Sequence, residues 1–213
     1  MSSLVAFWPA LSAKRLLSNQ TFRSLFRSDT VAESETLRIR DLTYLFTDLE
    51  DSTLMYDTIG DVTAHDLVRR HFDALGKAVA DNQGAVTKTI GDAIMATFPE
   101  PVFGVQATVD RQRALADFSK ATSTGLVLKI GLHRGRSLAV SLNDRTDYFG
   151  QEVNIAARVQ QLAGADEIVL SKDVYDEPGV AELLAAYDVV EDAGIMKGVA
   201  EQIPVFRARA AGT

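Results

Sequence analysis

Cysteine is absent from all 213 residues, which excludes disulfides, thiolate nucleophiles and thiolate zinc ligands. Long apolar runs are missing as well, since no segment approaches the roughly 20 apolar residues that a membrane span needs. Positive charge is in deficit: 22 Lys and Arg stand against 29 Asp and Glu, a formal net charge of −7. A phosphate-backbone surface for nucleic acid is therefore not expected. Gly76-Lys77 lacks the upstream glycine of a phosphate-binding loop, so a P-loop ATPase is excluded. Only three histidines occur. His65 and His71 fall on a helical stretch as packed or surface residues, and His133 ends a strand. The chain reads as intracellular, expected in the cytoplasm.

What is present suits one globular domain with an appendage: 46% of residues are apolar and 24% charged. Residues 1–28 hold Lys14, Arg15, Arg23 and Arg27 with no acid, whereas residues 41–213 carry 16 basic and 26 acidic residues, a net of −10. The boundary lies near "SDTVAESE", Ser28 to Glu35, which divides the chain into a basic, partly helical connector over 1–36 and a domain over 37–213. The head "MSSLVAFWPALSAKRLLSNQTFRSLFR" also has features of a targeting peptide or membrane-surface helix. A helical connector is the reading taken.

Hydrophobic spacing gives the elements. "LTYLFTDL", Leu42 to Leu49, is a short run of aromatic and branched residues, a buried strand. Val68, Phe72, Leu75 and Val79 step by four, three and four within a helix from Asp61 to Gln83, ended by Gly84. "AVTKTI" and "AIMATF" flank Gly91-Asp92 as a hairpin. A helix over 102–121 and a strand at 126–133 complete a split βαββαβ, ferredoxin-like core. A strand near Ser137–Leu142, a helix from Gly150 to Ala163 and the strand "EIVLS" follow. A helix capped by Ser171 and strands at "YDVVED" and "IPVFRAR" end the chain. The fold class is α+β.

Two acids draw attention. Asp48 closes the first strand in "FTDLEDST", and Asp92 occupies the hairpin tip in "KTIGDAIMATF". In a split sheet these strands are neighbours, so two hard oxygen donors converge on a place suited to Mg²⁺ or Mn²⁺. Each acid also has an ordinary explanation, as a turn former or as a helix cap. Asn154 and Arg158 in "VNIAAR" lie four apart on one helix face and interrupt a small, apolar stretch. Spacing alone allows a surface hydrogen bond there too.

Taken together, "FTDLEDST", "KTIGDAIMATF", "DYFG" and "VNIAAR" resemble the catalytic domain of the class III adenylyl and guanylyl cyclases, over about residues 40–209. The resemblance implies that Asp48 and Asp92, with the backbone carbonyl of Leu49, hold two Mg²⁺ or Mn²⁺ ions per site. It makes Lys88 and Asp147 the base-reading pair, and Asn154 and Arg158 the transition-state residues. Lys197 and Arg136 correspond, less specifically, to groups that meet the triphosphate. A lysine and an aspartate complement the N1 acceptor and 6-amino donor of adenine, whereas the guanylyl members carry a glutamate and a cysteine there. The resemblance thus implies conversion of ATP to 3′,5′-cyclic AMP and pyrophosphate by a head-to-tail homodimer with two composite sites, governed by a regulatory region outside this chain. A GTP cyclase, and a catalytically weak dimerisation module that relays a signal, are the alternatives. Three departures from the family pattern stand out. Asp51 replaces a frequent glycine, the arm between "GLHRGR" and "TDYFG" is short and lacks its glycines, and Arg134 adds a charge.

Overall fold

The first apolar run forms a strand at the centre of an eight-stranded sheet. A computed structural model describes residues 12–25, 37–122, 126–142, 145–194 and 202–211. Strand β1 (Leu37–Leu49) begins before the predicted Leu42, because its pairing with β4 (Leu128–Leu142) resumes beyond a bulge between Ile39 and Leu42. The bulge holds Asp41 at φ 57°. The hairpin β2 (Ala85–Ile90) and β3 (Ala93–Phe98) lies on the other side of β1. Beyond β4 come β6 (Glu167–Ser171), β8 (Ile203–Ala210) and β7 (Tyr187–Gly194). The sheet order is β2-β3-β1-β4-β6-β8-β7, with β5 (Arg145–Phe149) paired to the far end of β4.

Alternation along β1 feeds two cores. Leu45 and Leu49 point to one face, where α4 (Asp61–Asp81) and α5 (Pro101–Thr122) bury Leu75, Val79, Val105 and Val109 against Ile94, Phe98 and Leu132. Leu42, Tyr44 and Phe46 point to the other face. They meet Met95, Tyr148, Leu17 of α1 (Ala13–Leu17), and Val153 and Ala156 of α6 (Gln151–Gln161). Of the helical positions read from spacing, Val68, Leu75 and Val79 are buried and Phe72 is partly so.

Some expectations are corrected. The stretches 126–133 and 137–142 are one strand, β4; the polar residues of "HRGR" hid its continuity. The helix-forming residues Ser52–Ile59 make a separate helix, α3, before α4. Ser171 precedes α7 (Lys172–Tyr175) but gives it no side-chain cap. Its Oγ lies 2.9 Å from Nδ1 of His133 instead. His133, in turn, is buried within β4 and bonded through Nε2 to Glu152 at 2.7 Å, so it does not end a strand. Arg134 is neutralised by Glu177 at 2.7 Å. Among the described residues no helix is long and apolar enough to cross a membrane.

Helix α6 crosses β4 closely because two glycines allow it. A Cβ on Gly131 would stand 2.2 Å from the backbone nitrogen of Gln160, and one on Gly135 would stand 2.4 Å from Cβ of Glu152. The motif "GLHRG" thus acts by omission: its glycines let α6, with Asn154 and Arg158, lie on the sheet.

Candidate active site

The ladder between β1 and β3 pairs Thr47 with Ile94, and the next step carries Asp48 to the level of Ala93 and Asp92. Asp92 is the second residue of a two-residue loop whose first, Gly91, has φ 62°, the left-handed geometry that glycine supplies without strain. Asp48, Leu49 and Asp92 line one cleft of about 590 Å³, shared with Asp51, Asp57 and Lys129. Burial pushes the Asp48 carboxyl above its usual range, and the charge of Asp92 pushes it further. The two acids therefore repel across the cleft, and a cation between them relieves both. Lys129 partly does so from the opposite strand while bonding Glu50 at 3.2 Å.

The donor set fits a hard divalent ion, with carboxylates and a backbone carbonyl and neither sulfur nor imidazole in the cleft. Among the described residues no group of three or more His, Cys, Asp or Glu is arranged to hold a metal ion. Were such an ion bound here, most of its ligands would have to be water and substrate oxygens, the usual habit of Mg²⁺.

Asp51 has φ 51° and ψ 32°, in the left-handed region, at the start of α3, with no side-chain capping bond. A carboxylate held in strained backbone beside a cleft where the resemblance places phosphates would cost twice, in conformation and in charge. If the cleft takes the triphosphate that the resemblance implies, Asp51→Gly is expected to lower the KM for the nucleotide about fivefold, one like charge at contact distance in water being worth about 1 kcal/mol. Stability should change by less than about 1 kcal/mol, because relief of strain is offset by the entropy of glycine. Steady-state kinetics beside thermal unfolding check both; an unchanged or higher KM would contradict the reading.

A second cleft, of about 400 Å³, is lined by Thr87, Lys88, Leu142, Arg145, Thr146 and Asp147. Within it Lys88 Nζ donates to both oxygens of Asp147, at 2.7 and 3.0 Å. A bulge in β2 between Val86 and Lys88 re-aims the lysine. Asn154 and Arg158 lie on α6 in neither cleft; the first is exposed, the second half-buried, and neither has a polar partner among the described residues. Arg136 is exposed in a third cleft with Arg134, Glu152 and Glu177. It stands seven residues along β4 from Lys129, about 23 Å at the rise of a strand. Lys197 lies outside the described residues.

The chain thus brings together Asp48 with Asp92, and Lys88 with Asp147, but leaves these pairs apart from each other and from the α6 pair. Lys129 was missed in the sequence, although its place in "LKIGLH", the strand that pairs with β1, was a usable signal.

A family model described as the adenylate and guanylate cyclase catalytic domain matches residues 34–179. The chain belongs to this family. Among the class III cyclases, an adenylate cyclase of Mycosarcoma maydis is 30% identical over 186 residues, which cover 78% of this chain and 7% of that protein. An adenylate cyclase of Anabaena cylindrica is 27% identical over 187 residues, covering 80% of this chain and 37% of that protein. The chain therefore spans only a part of these curated relatives. The fold is that of solved class III cyclase domains. The adenylyl cyclase CyaB from P. aeruginosa superposes with a TM-score of 0.69 at 20% identity, over 83% of this chain and 97% of that one. The guanylyl cyclase Cya2 does so with 0.70 at 17% identity, over 85% and 96%. Class III cyclases of both base specificities thus share this chain's architecture.

Proposed function

We propose that this chain is an adenylyl cyclase that converts ATP to 3′,5′-cyclic AMP and pyrophosphate, in a homodimer with two shared sites. The observation that carries the base assignment is the Lys88–Asp147 pair. Its ammonium and carboxylate lie together at the mouth of a cleft, where they can meet the N1 acceptor and 6-amino donor of adenine. Guanine presents the opposite polarity and would leave both charges mismatched.

The dimer follows from separation. A nucleotide must touch the base pair, the acidic cleft and the α6 residues at once, yet one chain spreads these over different surfaces. A second copy in head-to-tail orientation supplies the acids to the first copy's base and α6 residues, and receives the same in return. The exposed apolar residues Leu138, Leu142 and Phe149 on the β4–β5 arm support such a contact, as they lie beside the base-reading cleft.

Two divalent ions held by Asp48, Asp92 and the Leu49 carbonyl would lower the pKa of the ribose 3′-hydroxyl and screen the triphosphate. Asn154 orients the ribose so that its 3′-oxygen lies in line with the α-phosphorus. The 3′-hydroxyl gives up its proton to solvent and its oxygen bonds to the α-phosphorus as the bond from that phosphorus to the α,β-bridging oxygen breaks, and pyrophosphate leaves with that oxygen. Arg158 presents planar charged donors to the α-phosphoryl oxygens, where negative charge grows in the transition state. Its removal should lower turnover more than binding.

Incubation with ATP and Mn²⁺, with GTP as competitor, tests the reading. Cyclic AMP should form, and GTP should compete weakly, with a kcat/KM at least about tenfold lower, as expected for mismatched polar groups. Cyclic GTP as the main product, or neither cyclic nucleotide, would overturn it.

A further inference from the structure

Strands β2 and β5 are separated in the sheet by β3, β1 and β4, yet Lys88 and Asp147 meet across them. Only a strong curl brings these two edges together. The helix α2 (Gln20–Leu25) lies where the curl closes, and it bonds both edges. The Val86 N–H, on the edge of β2, donates to Gln20 Oε1 at 2.9 Å. Arg23 Nη2 donates to the Thr146 carbonyl of β5 at 2.9 Å, and its guanidinium lies 5.9 Å from the centre of the Tyr148 ring. The preceding helix, α1, anchors the arrangement. Leu17 is buried beneath Tyr44 and Tyr148, its carbonyl accepts from the Tyr148 hydroxyl at 3.4 Å, and Lys14 pairs with Glu100 at 3.0 Å.

The placement of the two stitches is specific. Val86 is two residues before Lys88, at the bulge that re-aims it, and Thr146 immediately precedes Asp147. Edge strands with no partner are otherwise free to fray, so a side chain that satisfies each edge also fixes the residue next to it.

We infer that residues 12–25 act as a clasp that closes the curled sheet, which makes Gln20 and Arg23 positioning residues for base recognition through Lys88 and Asp147. This rests on the reading of that pair as the adenine contact. The clasp is part of the nucleotide site, although it lies before the matched residues 34–179.

The test uses the full chain with ATP and Mn²⁺. Gln20→Ala combined with Arg23→Ala should raise the KM for ATP about tenfold and leave kcat within about twofold, since two hydrogen bonds that hold the base contact are lost. The Val86 amide should exchange with solvent faster, as read by NMR or mass spectrometry. Arg23→Lys and Gln20→Glu, which keep a donor and an acceptor, should restore most of the KM and serve as the folded controls. In a Lys88→Ala background the clasp substitutions should add nothing further, a coupling that mere destabilisation would not produce. An unchanged KM, an equal loss in kcat, or full additivity with Lys88→Ala would overturn the clasp. Should Lys88→Ala itself leave KM unchanged, the base assignment fails instead, and slow Val86 exchange in the clasp variant would then sink the clasp independently.

Discussion

Asp48→Asn and Asp92→Asn are each expected to cost at least a thousandfold in turnover, about 4 kcal/mol of transition-state stabilisation, which is within the range a bound metal supplies. The same substitutions should move stability the other way. Burial and the neighbouring Asp92 hold the Asp48 carboxyl above its usual range. An acid whose pKa is higher in the folded than in the unfolded state loses stability as it ionises. The penalty is absent below the unfolded pKa and fully present above the folded one. Metal-free Asp48→Asn protein should therefore melt above the parent at neutral pH, and the advantage should vanish as the pH falls through the carboxylate range. Mn²⁺ should reverse the ranking. At a hundredfold excess over its dissociation constant it stabilises the parent by about 2.7 kcal/mol, or about 5–10 °C in a chain of this size. Asp48→Asn should gain little from it. Differential scanning fluorimetry with and without Mn²⁺ reads both effects; a variant that gains as much as the parent would remove Asp48 from the metal site.

Gly131→Ala is the second large expectation, and it concerns the frame. The added methyl would fall 2.2 Å from the Gln160 nitrogen, in the backbone of α6, where no flexible side chain can yield. Helix α6 must lift from β4, at a cost of about 3 kcal/mol or more. Because α6 carries Asn154 and Arg158, turnover should fall in whatever fraction remains folded. Gly76→Ala, where a Cβ meets nothing within 4 Å in the middle of α4, is the natural control and should be neutral or stabilising. Urea unfolding of the two variants decides the matter. Equal midpoints would show that the close crossing of α6 is not what the glycine provides.

The α+β class and the helical faces were legible because burial imposes a period. Val68, Leu75 and Val79 recur at helical spacing since one side of α4 faces the sheet. The hairpin at Gly91-Asp92 was legible through its turn chemistry, and with it the convergence of Asp92 on Asp48. Strand β5 was not read, because "RTDYF" is short and half of it faces solvent. The unity of β4 was hidden by Arg134, Gly135 and Arg136, whose identities answer to Glu177, to α6 and to solvent rather than to strand propensity. Least legible was the clasp. Gln20 and Arg23 look like ordinary polar residues of a basic head, and their meaning depends on a sheet curl that no local pattern encodes.

The departure at Asp51 gains a physical form. Its left-handed backbone is one that glycine adopts freely, so the aspartate holds a glycine-like position while adding charge to an already acidic cleft.

The central claim is that one copy's acids act on the nucleotide held by the other. Asp48→Ala and Arg158→Ala proteins, each inactive alone, should be mixed and assayed with ATP and Mn²⁺. If sites are shared between chains, activity should return to about a quarter of the parental rate, because half the dimers are mixed and each holds one intact site of two. A mixture as inactive as its components, despite demonstrated subunit exchange, would contradict the account.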